Sequence, residues 1–396
     1  MHYLLELNLS LLIKSMLAVA FKMLIGNRAS FLGGVFGVFL ATLLISQQSA
    51  IFLGLVSRSY RMVTDISLPN IWVIDPSTQG EGAIRTMPVE YLDVVRSTQG
   101  IEWAVPINLM DIPIAMESGV FKMAQLYGLD DATLVGAPSV MVEGNVGDLH
   151  REDGVIIDYN SAKGSLARTL PDGSVVPITI GDTFEINNHR AVVVGIAKIN
   201  PGFFPQPIMF TSNSQFEKFT SVKRIAFIAA KTREGADVNN VLNRINSFLK
   251  FDGLTSDQFK RKIAEYFLKT GILINFGLSV GLGLIIGFSI TGQIFYILTL
   301  QNISYYALMK ALGGNQKMIL KMILLQAVLV GVIGYVLGTA TTLLWGYAIK
   351  NTALAFLFPW QLLVFTAIVA FIICIFTAVL SIRNVLHADP KMLMGN

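Results

Sequence analysis

Four long apolar segments and one long polar insertion make up the pattern of this chain. The apolar segments cover 31–55, 271–299, 322–347 and 353–381, and the insertion lies between the first and the second. A helix needs about 20 apolar residues to cross the hydrocarbon core of a membrane, so each segment is long enough. The first begins too far from the N-terminus for a cleaved signal peptide. The pattern predicts an α-helical membrane protein with four transmembrane helices and a large domain inserted after the first.

The insertion has the mixed periodicity of an α/β domain that is long enough to bury its own core. The predicted strands are 71–74, 154–158, 182–186, 191–196 and 224–230, and the predicted helices are 88–96 and 238–249. Asn187-Asn188 can supply the turn of a hairpin between two of these strands. A last helix is expected from Ser256 to Gly271. We expect it to act as a rigid stalk into the second span, and a simple boundary helix is the alternative.

Carboxylates are nearly confined to the insertion. Glu6 and Asp389 are the only ones outside the stretch from Asp65 to Glu265. Only 14% of the residues are charged and 53% are hydrophobic, whereas a soluble domain carries about 25% charged residues. No charged residue lies deep in a span. This disfavours an ion-coupled carrier and a channel with a charged filter, because both rely on buried charges.

The basic residues predict the orientation. Three groups flank the spans on one side: Lys14, Lys22 and Arg28, then Lys310, Lys317 and Lys321, then Arg383 and Lys391. Positive charge favours the cytoplasmic side, which would place both termini inside and the insertion outside. Arg58 and Arg61 argue weakly against this orientation. An apolar stretch at 4–24 contains charges and is better suited to a helix lying in the membrane interface than to a fifth span.

Residues that could carry catalysis are few. The single cysteine, Cys374, excludes a disulfide within the chain, and the four histidines lack the spacing of metal ligands. The pairs Asp130-Asp131 and Glu152-Asp153 are better explained by turns than by acid–base chemistry. No G-x-x-x-x-G-K-S/T phosphate loop is present, so we expect the chain not to bind ATP directly. We also expect no metal site and no enzyme activity.

Glycines recur at four-residue spacing inside the spans. The pairs are Gly33/Gly37, Gly277/Gly281, Gly283/Gly287 and Gly334/Gly338. Such spacing lets helix backbones approach closely in lipid. The alternative is that glycine is simply common in membrane helices.

Several short motifs, in order along the chain, resemble one family. The segment after the second span reads Leu308-Met309-Lys310-Ala311-Leu312-Gly313-Gly314, and the end of the chain carries a basic segment followed by Asp389-Pro390. The insertion contains Gly128-Leu129-Asp130, Ile180-Gly181-Asp182 and Val193-Val194-Gly195-Ile196. Together they are similar to the permeases of the macrolide-exporter, lipoprotein-release and FtsX class of ABC transporters. The closest likeness is to exporter permeases of cyanobacterial heterocyst envelope formation.

The resemblance implies a division of the chain and a set of coupling residues. The expected divisions are 1–30 N-terminal amphipathic helix, 31–56 first span, 57–268 periplasmic MacB-like α/β domain ending in the stalk helix, 271–300 second span, 301–317 coupling-helix region, 318–348 third span, 352–381 fourth span and 382–396 cytoplasmic tail. The expected ATPase-coupling residues are Asn302, Tyr305, Tyr306, Leu308, Lys310, Ala311, Leu312 and Gly313. Tyr305 departs from the family, since many members carry an acid there.

The resemblance also implies partners. The chain would be the permease subunit of an ABC transporter in the inner membrane, driven by a dimer of separate ATPase subunits that bind ATP and magnesium. A second permease copy is expected, and a membrane-fusion protein and an outer-membrane channel are further candidates. Movement of the outer domain would drive export or the handling of lipids or lipoproteins. The alternatives are an FtsX-like regulator of a periplasmic cell-wall hydrolase, and a membrane scaffold or sensor without transport.

Overall fold

The chain divides into two units, each with its own core. A computed structural model describes residues 23–24, 26–80, 83–117, 119–169, 173–204, 206–248, 250–269, 271–311, 315–350, 352 and 354–386. One unit, the α/β unit, is Leu55–Thr270. The other, the helical unit, is formed by Met1–Gly54 together with Gly271–Asn396.

The described elements alternate between helices and strands only in the α/β unit. The helices are α1 Arg28–Ser59, α2 Arg61–Asp65, α3 Glu90–Ser97, α4 Tyr159–Lys163, α5 Asn213–Thr220, α6 Val238–Phe248, α7 Ser256–Lys269, α8 Ile272–Gln301, α9 Ile303–Ala311, α10 Gln316–Ala348 and α11 Trp360–Leu386. The strands are β1 Ile71–Ile74, β2 Ile101–Ala115, β3 Phe121–Leu129, β4 Met141–Gly144, β5 Gly154–Asp158, β6 Arg168–Thr169, β7 Val175–Val176, β8 Thr183–Ile186, β9 His189–Ala197, β10 Ile208–Ser212, β11 Phe227–Thr232 and β12 Asp252–Thr255.

The α/β unit is built on a ten-stranded mixed sheet. The strand order is β12-β1-β11-β2-β3-β10-β5-β9-β4, and β8 pairs with both β2 and β9. Most neighbours are antiparallel, while β3 with β10 and β5 with β9 are parallel. A separate two-stranded sheet joins β6 to β7.

Both faces of the sheet are covered around β1. Ile71 and Val73 point into a core that α3 and α6 complete with Val95 and Ile245. Trp72 points to the opposite face, where Phe259 of α7 packs on its ring at a centroid distance of 5.6 Å. All four residues of β1 are therefore buried, as expected for a strand that is covered on both faces.

The strand β2 was not predicted from the sequence. It is the longest strand described and contains Pro106 and Pro113, which lack the N–H that a sheet ladder uses. The sheet accommodates both prolines: Pro106 lies opposite Ile228 and Pro113 lies opposite Met123. Two prolines within one run argue against a strand in the sequence, so β2 was not predicted. The structure nevertheless buries most of its residues.

Among the described residues, four helices are long and apolar enough to cross a membrane, and they lie wholly or mostly in the helical unit. The ranges that meet this criterion are Arg28–Ser59, Ile272–Gln301, Gln316–Ala348 and Trp360–Ser381. These four helices and the α/β unit between the first two agree with the predicted fold class.

Two boundaries differ from the prediction. The fourth helix begins at Trp360 and not near residue 352, because Pro359 lacks the N–H that a helix interior would use. The predicted stalk is not continuous with the second span. The helix α7 ends at Lys269 and α8 begins at Ile272, and Gly271 between them is in the left-handed region at φ +78°.

Glycines allow close contact between α1 and its neighbours. A Cβ atom on Gly334 would lie 2.6 Å from Cβ of Val38, and one on Gly338 would lie 2.7 Å from Cβ of Thr42. On the other side of α1, a Cβ on Gly33 or Gly37 would meet isoleucine side chains of α8 at 2.8 Å. Gly283 and Gly287 of α8 also face α1.

Gly277 and Gly281 differ from the other three predicted glycine pairs. A Cβ on either would meet nothing within 4 Å among the described atoms of the chain. Their face of α8 is rich in exposed apolar side chains, among them Ile274, Leu278 and Ile285.

Hydroxyl groups inside the helical unit mostly bond within the bundle. Thr339, Thr366 and Thr377 each donate to the carbonyl oxygen four residues earlier, at 2.8 Å. Between helices, the hydroxyls of Ser46 and Thr342 lie 2.6 Å apart. These groups are satisfied locally, as apolar surroundings require.

Candidate functional site

The segment after the second long helix forms a short separate helix. The helix α8 ends at Gln301, and Asn302 breaks it with φ −100° and ψ 8°. The side-chain amide of Asn302 donates back to the carbonyl oxygen of Leu298 at 2.8 Å. The next helix, α9, then begins at Ile303.

The predicted coupling residues fall on two different faces of this segment. Asn302 and Tyr306, four residues apart, are buried with 6% and 1% exposure. Tyr305 and Leu308, three residues apart, are 60% and 53% exposed. Residues three or four apart share one face of a helix, so the segment has one anchored face and one free face. Tyr306 and Asn302 were both predicted to take part in coupling; their side chains are buried within the chain, and that role stays a prediction.

The remaining coupling residues are only partly covered by the structure. Lys310 and Ala311 belong to α9, but their side chains lie outside the described part of the chain. Leu312 and Gly313 lie outside the described residues altogether, so the expected glycine end of the helix stays a prediction.

Tyr306 anchors α9 to the bundle. Its ring belongs to a core cluster with Phe295 and Leu298 of α8 and Ile319 and Ile323 of α10. Its hydroxyl lies 3.4 Å from Oε1 of Gln326, which is fully buried in α10. Burial raises the pKa of Tyr306 to about 12. A tyrosine hydroxyl is protonated at neutral pH already at its ordinary pKa of about 10, so Tyr306 can act as the donor in this contact.

A polar cavity lies beside the exposed Tyr305. It has a volume of about 380 Å³ and is lined by Met23, Gly26, Asn27, Gln301, Asn302 and Tyr305. The amide of Asn27 donates to Oε1 of Gln301, and the hydroxyl of Ser30 donates to the same oxygen at 3.0 Å. These bonds tie the start of α1 to the end of α8. The cavity lining consists of neutral groups.

The motifs of the α/β unit have structural roles. Gly128 lies against the ring of Phe216, and a Cβ there would be 2.6 Å from Cγ of that ring. Asp130 accepts hydrogen bonds from the backbone N–H and hydroxyl of Thr133. Gly181 has a φ of +93°. Asp182 accepts from the N–H of Thr179 at 2.7 Å.

The two acidic pairs also form structural contacts. Asp131 accepts from the N–H of Ser214 at 3.0 Å in the first turn of α5. Glu152 and Asp153 both contact Lys218, at 3.4 Å and 2.7 Å. Asp130 has the predicted turn role, whereas the contacts of Asp131, Glu152 and Asp153 join segments 65 to 83 residues apart along the chain.

Sequence reasoning missed a buried arginine, Arg61, near the start of the α/β unit. Arg61 is 4% exposed and donates to the hydroxyl of Tyr127 at 2.7 Å. It also bonds Oδ2 of Asp65 at 3.3 Å and Oε1 of Gln125 at 3.5 Å. Two of its partners, Gln125 and Tyr127, lie on β3, more than 60 residues away along the chain, so the sequence could not show these contacts. The only local signal of burial is that apolar residues follow Arg61 in the sequence.

The fold and the site define a membrane-embedded chain with an α/β domain inserted after its first apolar helix. Residues 32–248 match the MacB-like periplasmic core domain, and residues 277–390 match the FtsX-like permease C-terminal domain. The first match alone covers more than half of the 396 residues. The chain therefore belongs to the MacB/FtsX-like permease family.

Two solved structures are similar to part of this chain at low identity. The periplasmic region of MacB from Actinobacillus actinomycetemcomitans is 15% identical, with 51% of this chain and 95% of that one covered and a TM-score of 0.38. The extracellular domain of the ABC-type transporter YknZ from Gram-positive bacteria is 9% identical, with coverage of 47% and 98% and a TM-score of 0.34. No curated protein matches the chain. The closer likeness to heterocyst-type exporters stays a prediction.

Proposed function

We propose that this chain is the permease subunit of an ABC transporter and that a separate ATPase docks on α9. The observation that carries the proposal is the division of the segment into an anchored and a free face. Tyr306 and Asn302 hold α9 in the bundle, while Tyr305 and Leu308 remain exposed for a partner. Membership of the permease family supports this reading.

The proposed mechanism passes force from the ATPase to the α/β unit. ATP and magnesium bind to the ATPase dimer, whose closure displaces α9. Because Asn302 joins α9 directly to α8, the displacement reaches α8 and then, through Gly271, the helix α7. Movement of the α/β unit would drive export or the handling of lipids or lipoproteins. Two permease copies, a membrane-fusion protein and an outer-membrane channel complete the proposed assembly.

In the proposed topology the chain spans the inner membrane. The helix α9 and both termini then lie on the cytoplasmic side. Basic residues near Arg28 and Lys317 favour this side. Reporter fusions at Gly144 and Gly314 test it, because one fusion should be active only outside and the other only inside. Activity of both fusions on one side would contradict the topology.

Co-purification tests the ATPase partnership. The tagged full chain is extracted from native membranes, and co-purifying proteins are identified by mass spectrometry. We expect an ABC ATPase with its own phosphate loop, retained by the wild type and lost with Leu308→Glu. Leu68→Glu is the matched control, since Leu68 is 59% exposed but lies in the α/β unit.

Two results would contradict the proposal. The wild-type chain could lack any ABC ATPase, as a scaffold or sensor would, or Leu308→Glu could retain the ATPase as well as the control does. A co-purified cell-wall hydrolase together with the ATPase would instead favour the regulatory alternative over export.

A further inference from the structure

The charged side chains described near the exposed face of α9 are all basic. On the elements that adjoin α9, the described exposed charged side chains at this end are Arg28 at the start of α1 and Lys317 and Lys321 at the start of α10. These elements meet at one end of the bundle, because Asn27 bonds Gln301 and because Tyr306 packs on α10. We call this the docking face.

The described residues of the docking face include no carboxylate. In the whole helical unit the sequence contains only Glu6 and Asp389, and the described residues of that unit contain no carboxylate. A lysine or arginine of a partner would therefore meet like charges here. Like-charge juxtaposition across an interface is unfavourable, and complementary charge speeds association.

The centre of the docking face is neutral and able to form hydrogen bonds. The cavity beside Tyr305 is lined by the amides of Asn27, Gln301 and Asn302. The Tyr305 side chain presents a phenol at 60% exposure. An arginine fork prefers a carboxylate, and the described residues around Tyr305 supply none.

We propose that the ATPase docks here through an acidic groove and without an arginine–carboxylate pair to this chain. The inference rests on the proposed function, because it names the chemistry of the partner at the same site. Acidic side chains of the ATPase lie opposite Arg28, Lys317 and Lys321. A neutral hydrogen-bonding or aromatic surface lies opposite Tyr305.

Basic residues at this end also orient the helices in the membrane, and the experiment must separate the two effects. Binding is therefore measured with purified full-length chain in a non-ionic detergent, where no anionic lipid is present. The probe is the ABC ATPase that co-purifies with the wild-type chain. The affinity of the chain for this ATPase is measured at salt concentrations from about 50 to about 500 mM. Salt screens interactions between exposed charges, so binding that depends on charge becomes weaker as the salt concentration rises.

Reversing the charge of the basic residues tests whether the partner surface is acidic. We expect Lys317→Glu combined with Lys321→Glu to weaken binding about tenfold, and Tyr305→Glu to weaken it about fivefold. Tyr305→Phe should stay within about twofold, since it adds no charge. Lys350→Glu is the matched control: Lys350 is also exposed but follows the far end of α10. Wild-type binding should weaken as salt rises.

The outcomes separate this inference from the proposed function. If the wild type binds no ABC ATPase, the proposed function fails and this inference fails with it. If the wild type binds but charge reversal and salt have no effect, the basic residues only orient the helices, and this inference alone is overturned. Tighter binding by Tyr305→Glu would show a basic groove and would also overturn it.

Discussion

The hydroxyl of Tyr306 lies 3.4 Å from Oε1 of Gln326, and both side chains are buried. This contact joins the short helix α9 to the long helix α10. The neighbouring Tyr305 points outward and makes no comparable contact in the described core. The two adjacent tyrosines therefore differ: Tyr306 packs α9 against the bundle, and Tyr305 lies on the exposed face of α9.

The first prediction concerns these two tyrosines. Tyr306→Phe should lower stability by about 1 kcal/mol, because one hydrogen bond is lost while the ring still fills its site. Tyr306→Ala should cost roughly 3–5 kcal/mol, because a cavity is added. Thermal unfolding of the full chain in detergent measures both. Tyr305→Phe is the control, and an equal loss of stability in that variant would contradict the assignment of faces.

The second prediction concerns the contact between α1 and α10. Gly338→Ala should destabilise the helical unit by about 1–3 kcal/mol, because the new methyl group would overlap Thr42. Gly281→Ala should not destabilise the monomer, because its Cβ would meet no described atom of the chain within 4 Å. Thermal unfolding of the two variants side by side checks the difference. Equal destabilisation by both would mean that close packing is not the reason for Gly338.

The third prediction concerns Arg61. Arg61→Ala should destabilise the α/β unit by about 3 kcal/mol, because the guanidinium that bonds Tyr127 and Asp65 is removed from a buried site. Hydrogen exchange in the full chain should then become faster in β3. Arg85→Ala is the control, since Arg85 is exposed. Unchanged exchange in β3 would show that the contacts of Arg61 add little to the stability of the unit.

The fourth prediction concerns the hairpin between β8 and β9. Asn187 and Asn188 have φ values of +48° and +65°, which β-branched residues avoid. Asn188→Val should therefore cost about 1–3 kcal/mol. Asn188→Gly should be neutral or stabilising, since glycine adopts positive φ readily. Thermal unfolding distinguishes them, and two equal effects would point to a lost side-chain contact.

The sequence predicted those elements whose signal is local. The strands β1 and β5 agree with the predicted 71–74 and 154–158, because each has a short run of consecutive β-branched or aromatic residues that is buried in the sheet. The turn at Asn187-Asn188 was also predicted, since asparagine tolerates positive φ. The strand β2 was missed because Pro106 and Pro113 interrupt its ladder.

The candidate site was predicted as a segment but not as a geometry. The motif around Leu308 located α9, yet nothing in the sequence could tell the outward Tyr305 from the inward Tyr306. That distinction depends on Gln326 and on the packing of α10, which lie beyond the motif. The contacts of Arg61 were hidden for the same reason, because its partners belong to a distant strand.

The pairing of β1 with β12 has a consequence for synthesis. Ile71 lies opposite Thr255, so strands from the two ends of the insertion are hydrogen-bonded neighbours. The sheet cannot be completed until β12 has left the ribosome, which at translation rates of about 5–20 residues per second is on the order of ten seconds after β1. During that interval β1 lacks its edge partner. We expect the nascent chain to need protection from aggregation during this interval.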